Sequence, residues 1–341
     1  MLKGLALTPP VIGRIAIGRV VEKNGRRLPE KDDEFTLTSQ VQNKEGWVPH
    51  PVDAQLRKEP GAKLRSIPVR LLFDDPDLSL RANYTMFDRA TGRPLCVGDG
   101  ESCKRVTLSG MQSLPCPSPA VCALAQDGNC KPYGRLHVRI DSGSDGPTDA
   151  DAGRGLGTVG GGDELGSFVF RTTGFNSIRT LSARLRYLFA VSGGLLAGLP
   201  LELRLRGKST TLSHRTPIYY VDLTLRAGSS LAQVVALARQ EREQQAALGL
   251  DQAALDEAAR QGLALGEFEE SEEEGVEVVE EFYPGPGTEG AHPGDGDDLG
   301  THRARAPSPP ISLRGKLHRK QEALGARATA TGDPGASHAG T

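Results

Sequence analysis

The sequence predicts an α+β fold: mostly antiparallel strands, one packed amphipathic helix, a cysteine-rich loop, a C-terminal helical segment and a disordered tail. Two patterns carry this expectation. Short segments that alternate apolar and polar residues dominate the first half of the chain, and one long stretch of helical spacing follows them. The strict βαβ alternation of a doubly wound nucleotide fold is missing. Composition agrees, since only 37% of the 341 residues are hydrophobic while Gly (42) and Pro (23) are plentiful, so much of the chain must be loop or tail.

The elements follow in order. Ile15 and Ile17, Phe35 and Leu37, Val69, Leu71 and Phe73, and Leu136, Val138 and Ile140 each read as a strand with one buried face. Leu80 to Phe87 is expected to pair back on Leu64 to Phe73 across the polar turn Asp74-Asp75-Pro76-Asp77. Residues 141–163, rich in Gly, Asp and Ser, read as a flexible insertion. The helix starts after Gly174, with Asn176 or Ser177 as N-cap, and buries Ile178, Leu181, Leu185, Leu188 and Phe189 before Gly193-Gly194 stops it. Two alternating strands, Leu199 to Leu205 and Tyr219 to Leu225, complete a domain over residues 1–228 that contains the Cys-rich loop at 96–133. A helical segment at 229–263 carries an apolar stripe of Leu231, Val234, Val235 and Ala238. The rest, 264–341, is an acidic run to Glu281, expected to be a solvated spacer, and then a Gly/Pro-rich tail expected to be disordered.

Several function classes drop out. No apolar run approaches the ~20 residues that span a bilayer, and the opening segment is broken by Pro9 and Pro10, so a cytoplasmic location without membrane partners is expected. A formal net charge of -2 gives no global hint of nucleic acid. No His-x-x-x-His, Gly-x-Ser-x-Gly or Walker sequence supports catalysis, and no catalytic residue is assigned.

The strongest chemical signal is the cysteines. All five lie between positions 96 and 130, and a cluster this tight without a secretory signal points to a structural zinc ion rather than disulfides. Cys103, Cys116, Cys122 and Cys130 are the candidate ligands, with Cys96 as the spare and His50 and His137 as weaker substitutes. The bland alternative is a set of buried, reduced thiols.

A second signal is basic. Arg179, Arg186, Arg204, Arg206 and Lys208 fall within the helix–hairpin unit, and Lys104, Arg105, Lys131 and Arg135 flank the cysteines. Guanidinium groups bind phosphate in a fork geometry, so these nine form a candidate surface for DNA or a protein partner. The alternative is a set of ordinary solvated faces. A third candidate, a hydrolytic metal centre of Asp74, Asp75 and Asp77 with His50 or Asp99, competes with a plain turn between strands.

One succession of residues has a family look: Cys103-Lys-Arg, a Cys-rich loop ending in Cys130-Lys-Pro-Tyr-Gly-Arg-Leu136, then Leu165-Gly-Ser-Phe-Val-Phe-Arg-Thr-Thr-Gly-Phe-Asn-Ser-Ile178. Over roughly residues 11–226 it resembles the recombination-directionality-factor-like proteins of phages and integrative elements, whose relatives often carry the label hydrolase or metal-binding protein. The resemblance implies an accessory protein that binds a large serine integrase, or another recombinase, and turns integration into excision, with DNA as a second contact. It also implies Cys103, Cys116, Cys122 and Cys130 as zinc ligands. The insertion at 141–163 and the tail depart from the family pattern.

Overall fold

The structure, a computed structural model, describes residues 10–283 apart from breaks at 24–25, 45, 58, 60, 142–165, 210, 212–216 and 266–271. The chain divides into two units, 1–297 and 298–341, and every described residue belongs to the first. The expected insertion at 141–163, beyond Asp141, and the expected tail beyond Tyr283 lie outside the described residues.

The fold is mixed α+β, built on a sheet of twelve strands. Its strands are β1 (Val11–Lys23), β2 (Arg26–Asn43), β3 (Gly46–Pro49), β4 (Ser66–Leu71), β5 (Leu80–Phe87), β6 (Pro94–Gly98), β7 (Ser102–Thr107), β8 (Gly110–Pro115), β9 (Cys130–Ile140), β10 (Ser167–Thr172), β11 (Leu201–Lys208) and β12 (Ile218–Leu225). The order runs β3-β2-β1-β10-β9-β5-β6-β7-β8, with β4 joining β9 to the β11–β12 hairpin. Among the described residues all strand pairings are antiparallel except β1 with β10, which is parallel. The helices are α1 (Pro51–Leu56), α2 (Pro76–Ser79), α3 (Phe175–Ser192), α4 (Leu231–Ala247), α5 (Gln252–Leu265) and α6 (Glu272–Phe282).

Cross-strand register explains the two faces of the sheet. Ile15, Phe170, Leu136 and Leu80 stand side by side on four neighbouring strands, so they share one face. On that face α3 buries Ile178, Leu181, Leu185 and Leu188. One residue further along, Arg171, Arg135 and Arg81 stand side by side on the opposite face, because successive side chains alternate. One face is thus the apolar core and the other a row of arginines.

Four expectations change. Leu80–Phe87 does not fold back on the preceding strand: β4 and β5 both pair with the same side of β9, at Val138–Ile140 and at Cys130–Leu136 respectively, and run in the same direction. The Asp-Asp-Pro-Asp segment is not a hairpin turn but the start of α2, since the Asp75 side chain accepts from Asp77 N–H with Pro76 in the first helical turn. At α3 the N-cap is Gly174 rather than Asn176 or Ser177. Those side chains are committed elsewhere, the Ser177 hydroxyl accepting from Val221 N–H (3.0 Å) and Asn176 Oδ1 from Lys208 Nζ (2.5 Å). Phe189 is 41% exposed instead of buried. The stop at Gly193 is as expected, left-handed at φ 73°.

The acidic run also differs from a solvated spacer. Residues 272–282 form α6, which lays Val278, Val279 and Phe282, with Tyr283 after it, on Phe87 and Tyr133. Glu274 pairs with Arg171 (3.1 Å) and Glu277 with Arg14. Glu281 sits half-buried between them, and desolvation pushes its carboxyl up to about 7 against the pull of Arg171 and Arg14.

This carries a pH prediction. A carboxyl whose pKa is raised in the folded state stabilises fully below its unfolded value, near 4.5, and that contribution is lost as pH rises through about 7. Stability is therefore expected to fall between pH 5 and 8 by about 1–3 kcal/mol through this group. Glu281→Gln, neutral throughout, is expected to flatten that slope and to be the more stable form at pH 8. Urea unfolding across the pH series checks it, and a slope unchanged by the substitution refutes it.

Candidate functional site: a thiol cluster at the sheet edge

The segment expected as a Cys-rich loop is half strand. β6, β7 and β8 extend the sheet edge, followed by a 3-10 turn at Ala123–Gly128 that leads into β9. Register then gathers the cysteines. Cys130 and Cys96 flank Met86 on either side of β5, so both thiols share its face, and Arg105 stands beside Cys96 on β7. Cys103 stands opposite Gly98 on the neighbouring strand.

Gly98 makes room for the sulfurs. A Cβ there would stand 2.7 Å from Cys103 Cβ and 2.9 Å from Cys116 Sγ, so the side chains of Cys103 and Cys116 converge over a cradle that only glycine leaves open. All five cysteines are free thiols. Burial pushes the Cys103 thiol up to about 11, with Cys96 adding to the shift, and pushes Cys130 up to about 12, with Cys96, Cys116 and Cys122 adding. Cys96 and Cys116 thus lie within electrostatic reach of both Cys103 and Cys130, and Cys122 within reach of Cys130. The Arg105 guanidinium lies among them, 3.9 Å from Cys103 Sγ.

Cys96, expected as the spare, is buried and lies within electrostatic reach of Cys103, Cys130 and Arg105. Its alternation with Pro94 and Gly98 on a short strand was the available signal. The histidine substitutes go elsewhere. His50 caps α1 by accepting from Val52 N–H (3.2 Å) and packs edge-on against Phe168 (4.9 Å). His137 is buried on the arginine face, where desolvation and then Arg81, Arg135 and Arg171 hold its imidazole near 3 and so neutral.

Among the described residues, no group of three or more His, Cys, Asp or Glu is arranged to hold a metal ion. The carboxylates of the hydrolase alternative are structural. Asp74 accepts from Ala197 N–H (2.9 Å) and pairs with Arg242 (2.6 Å); Asp75 caps α2 and pairs with Arg260 (2.9 Å). Asp77 is exposed, and Asp99 closes a turn by accepting from Glu101 and Ser102 N–H (2.8 Å each).

The nine basic candidates do not form one surface. Lys131 and Arg135 lie on strand β9, but Arg135 is buried on the arginine face and Lys131 donates to Phe282 O (3.3 Å) at the end of α6. Lys104 and Arg105 are half-buried in the lobe. Arg179 and Arg186 are exposed on α3. Arg206 pairs with Asp222 (2.9 Å), which also holds Arg184 (3.0 Å), and Arg204 pairs with Glu202. The helix–hairpin unit thus presents an exposed, partly neutralised basic edge.

The described residues thus combine a thiol-lined sheet edge with a basic helix–hairpin edge. A family model described as Gp3-like, recombination directionality factor-like, matches residues 12–226, and the chain belongs to that family. The family suggests a role in recombination of phages and mobile elements. The match runs from β1 to just past β12, so α4, α5 and α6 lie outside it. No curated protein and no solved structure matches the chain. No described helix is long and apolar enough to cross a membrane.

Proposed function

We propose that this protein is a zinc-stabilised accessory factor of a mobile element, which biases a large serine integrase or a related recombinase toward excision by contact with the protein and with DNA. Such a factor works by differential binding, favouring one recombinase–DNA arrangement over another.

The observation that carries this reading is the lobe. In β6, β7 and β8 the only buried side chains besides Pro94 are the thiols of Cys96 and Cys103. Its large apolar residues point outward instead: Val106 is 47% exposed, Met111 49%, and Leu108 at the hairpin tip fully so. A hairpin with no core of its own is marginal in water and needs another tie. Zinc supplies such a tie where soft thiolates converge, and four of the five thiols, with the buried Cys96 and Cys103 among them, fit it in kind. The reward is a rigid hairpin whose tip offers Val106, Leu108 and Met111 to a partner. The exposed Arg179 and Arg186, with Arg204, Arg206 and Lys208 beside them, suit the phosphate backbone of the DNA held by that partner.

The test is reconstitution. Purified cognate serine integrase, given the two junction sites of the integrated element, is expected to excise only when the protein is added, and the two proteins are expected to co-elute. A Leu108→Asp/Met111→Asp variant is expected to lose both effects while remaining folded. Excision that ignores the protein, with no co-elution, defeats the proposal.

A further inference from the structure

The arginine face of the sheet holds groups that neither the thiol cluster nor the basic edge uses. Arg171, Arg135 and Arg81 stand in register across three strands, and Arg14 on β1 shares their face beside Val169. Arg81 is 3% exposed and Arg135 7%, with the neutral His137 two residues beyond Arg135 on β9, opposite Val169. Beside this row Phe87 and Tyr133 make an aromatic floor, their rings edge-on at 5.6 Å. All of these residues lie within 12–226, the region of the family match.

The element that covers them does not. α6 begins 46 positions beyond the match, at Glu272 against Arg226. Its carboxylates meet Arg14 and Arg171, and Gln42 Nε2 donates to Glu277 (3.2 Å). Its apolar side meets the floor, with Tyr283 5.3 Å from Phe87 and its hydroxyl donating to Thr85 O (3.2 Å). Gly275 makes the approach possible, since a Cβ there would run into the carbonyl of Gly92 on the 88–93 turn.

We propose that this face is a docking groove for an acidic amphipathic helix of a partner protein, and that α6 is its resident occupant, displaced when the partner binds. The groove asks for carboxylates along one edge of a helix and apolar side chains at i, i+1 and i+4 on the other, the spacing of Val278, Val279 and Phe282, with glycine three positions before the first of them. A phosphate backbone satisfies the arginines but leaves Phe87 and Tyr133 uncovered, which is why a protein helix is favoured over nucleic acid. The resident is poised to leave. It has eleven residues, below the ~12–15 that hold a helix in water unaided, and Gly275 weakens it further. Glu281 adds the cost of a half-buried carboxyl. This groove is separate from the lobe tip, and the proposal stands whether or not the partner is a recombinase.

The test uses the full chain and a fluorescein-labelled peptide of residues 270–285 as probe. Two variants release α6 by different means: Gly275→Val by steric clash, and Glu274→Lys with Glu277→Lys by repulsion. In fluorescence anisotropy the peptide is expected to bind both released chains at least about tenfold more tightly than wild type, because the tethered competitor is gone. Arg171→Ser in a released chain is expected to reverse the gain, and added salt to weaken it. Equal affinity for wild-type and released chains overturns the proposal. So does a gain that appears only for a random duplex of roughly 30 base pairs, which would assign the face to nucleic acid.

Discussion

Removing the proposed zinc, or replacing Cys103 by Ser, is expected to melt the β6–β8 lobe while the main sheet stays folded. The lobe's burial is the reason. β8 has no buried side chain, β7 buries only Cys103, and β6 buries Cys96 between Pro94 and Gly98, so apolar burial contributes little. Structural zinc at four thiolates is worth on the order of 10 kcal/mol, enough to dominate such a lobe. The main sheet has its own core of Phe35, Leu71, Leu136, Phe170 and Leu185 and does not depend on the ion. Metal analysis is expected to find about one zinc per chain, as one tetrahedral site requires. Hydrogen exchange is expected to speed up by orders of magnitude at residues 94–116 of Cys103→Ser, with 167–172 unchanged. Cys96→Ser is expected to behave like Cys103→Ser, a result the sequence reading alone did not anticipate. A protein without zinc in which Cys103→Ser and Cys116→Ser are as stable as wild type would remove the metal from the account.

The second large effect lies in the core. Phe170 is 1% exposed and sits between Ile15 and Leu136 on the face that α3 covers. Phe170→Ala is expected to cost about 3–5 kcal/mol, the lost transfer energy of the ring plus the cavity it leaves in a sheet centre that cannot collapse around it. A fall in the urea midpoint with an unchanged slope checks this; a loss below about 1 kcal/mol would mean that α3 does not pack as described. Phe189→Ala on α3 is the internal control. With Phe189 41% exposed, its loss is expected to cost well under 1 kcal/mol.

Much of this molecule was legible in its sequence, and the part that was not shares one cause. β9 shows it: Leu136, Val138 and Ile140 mark a strand from alternation alone, and so do Tyr133, Arg135, His137 and Arg139 on the other parity. What alternation does not say is that Arg135 meets Arg81 and Arg171 across strands, because register is set by pairings distant in the chain. The same limit hid Cys96, which sequence order places apart from Cys130 but β5 brings alongside it. In α6 the spacing of Val278, Val279 and Phe282 was a visible helical stripe, masked by the acidic residues around it.

The chain's own order therefore determined strands β1, β2, β4, β5, β9, β11 and β12, the helix at 175–192 with its glycine stop, the concentration of thiols in one short stretch and the family to which it belongs. These rest on local periodicity, backbone preference and composition. Only the tertiary structure decided that β4 and β5 run in line, that β1 pairs in parallel with β10, that the fifth cysteine joins the other four and that an acidic helix lies on a row of arginines. Each of these depends on which distant segments meet, and that choice is made by burying one continuous apolar face across strands far apart in the chain.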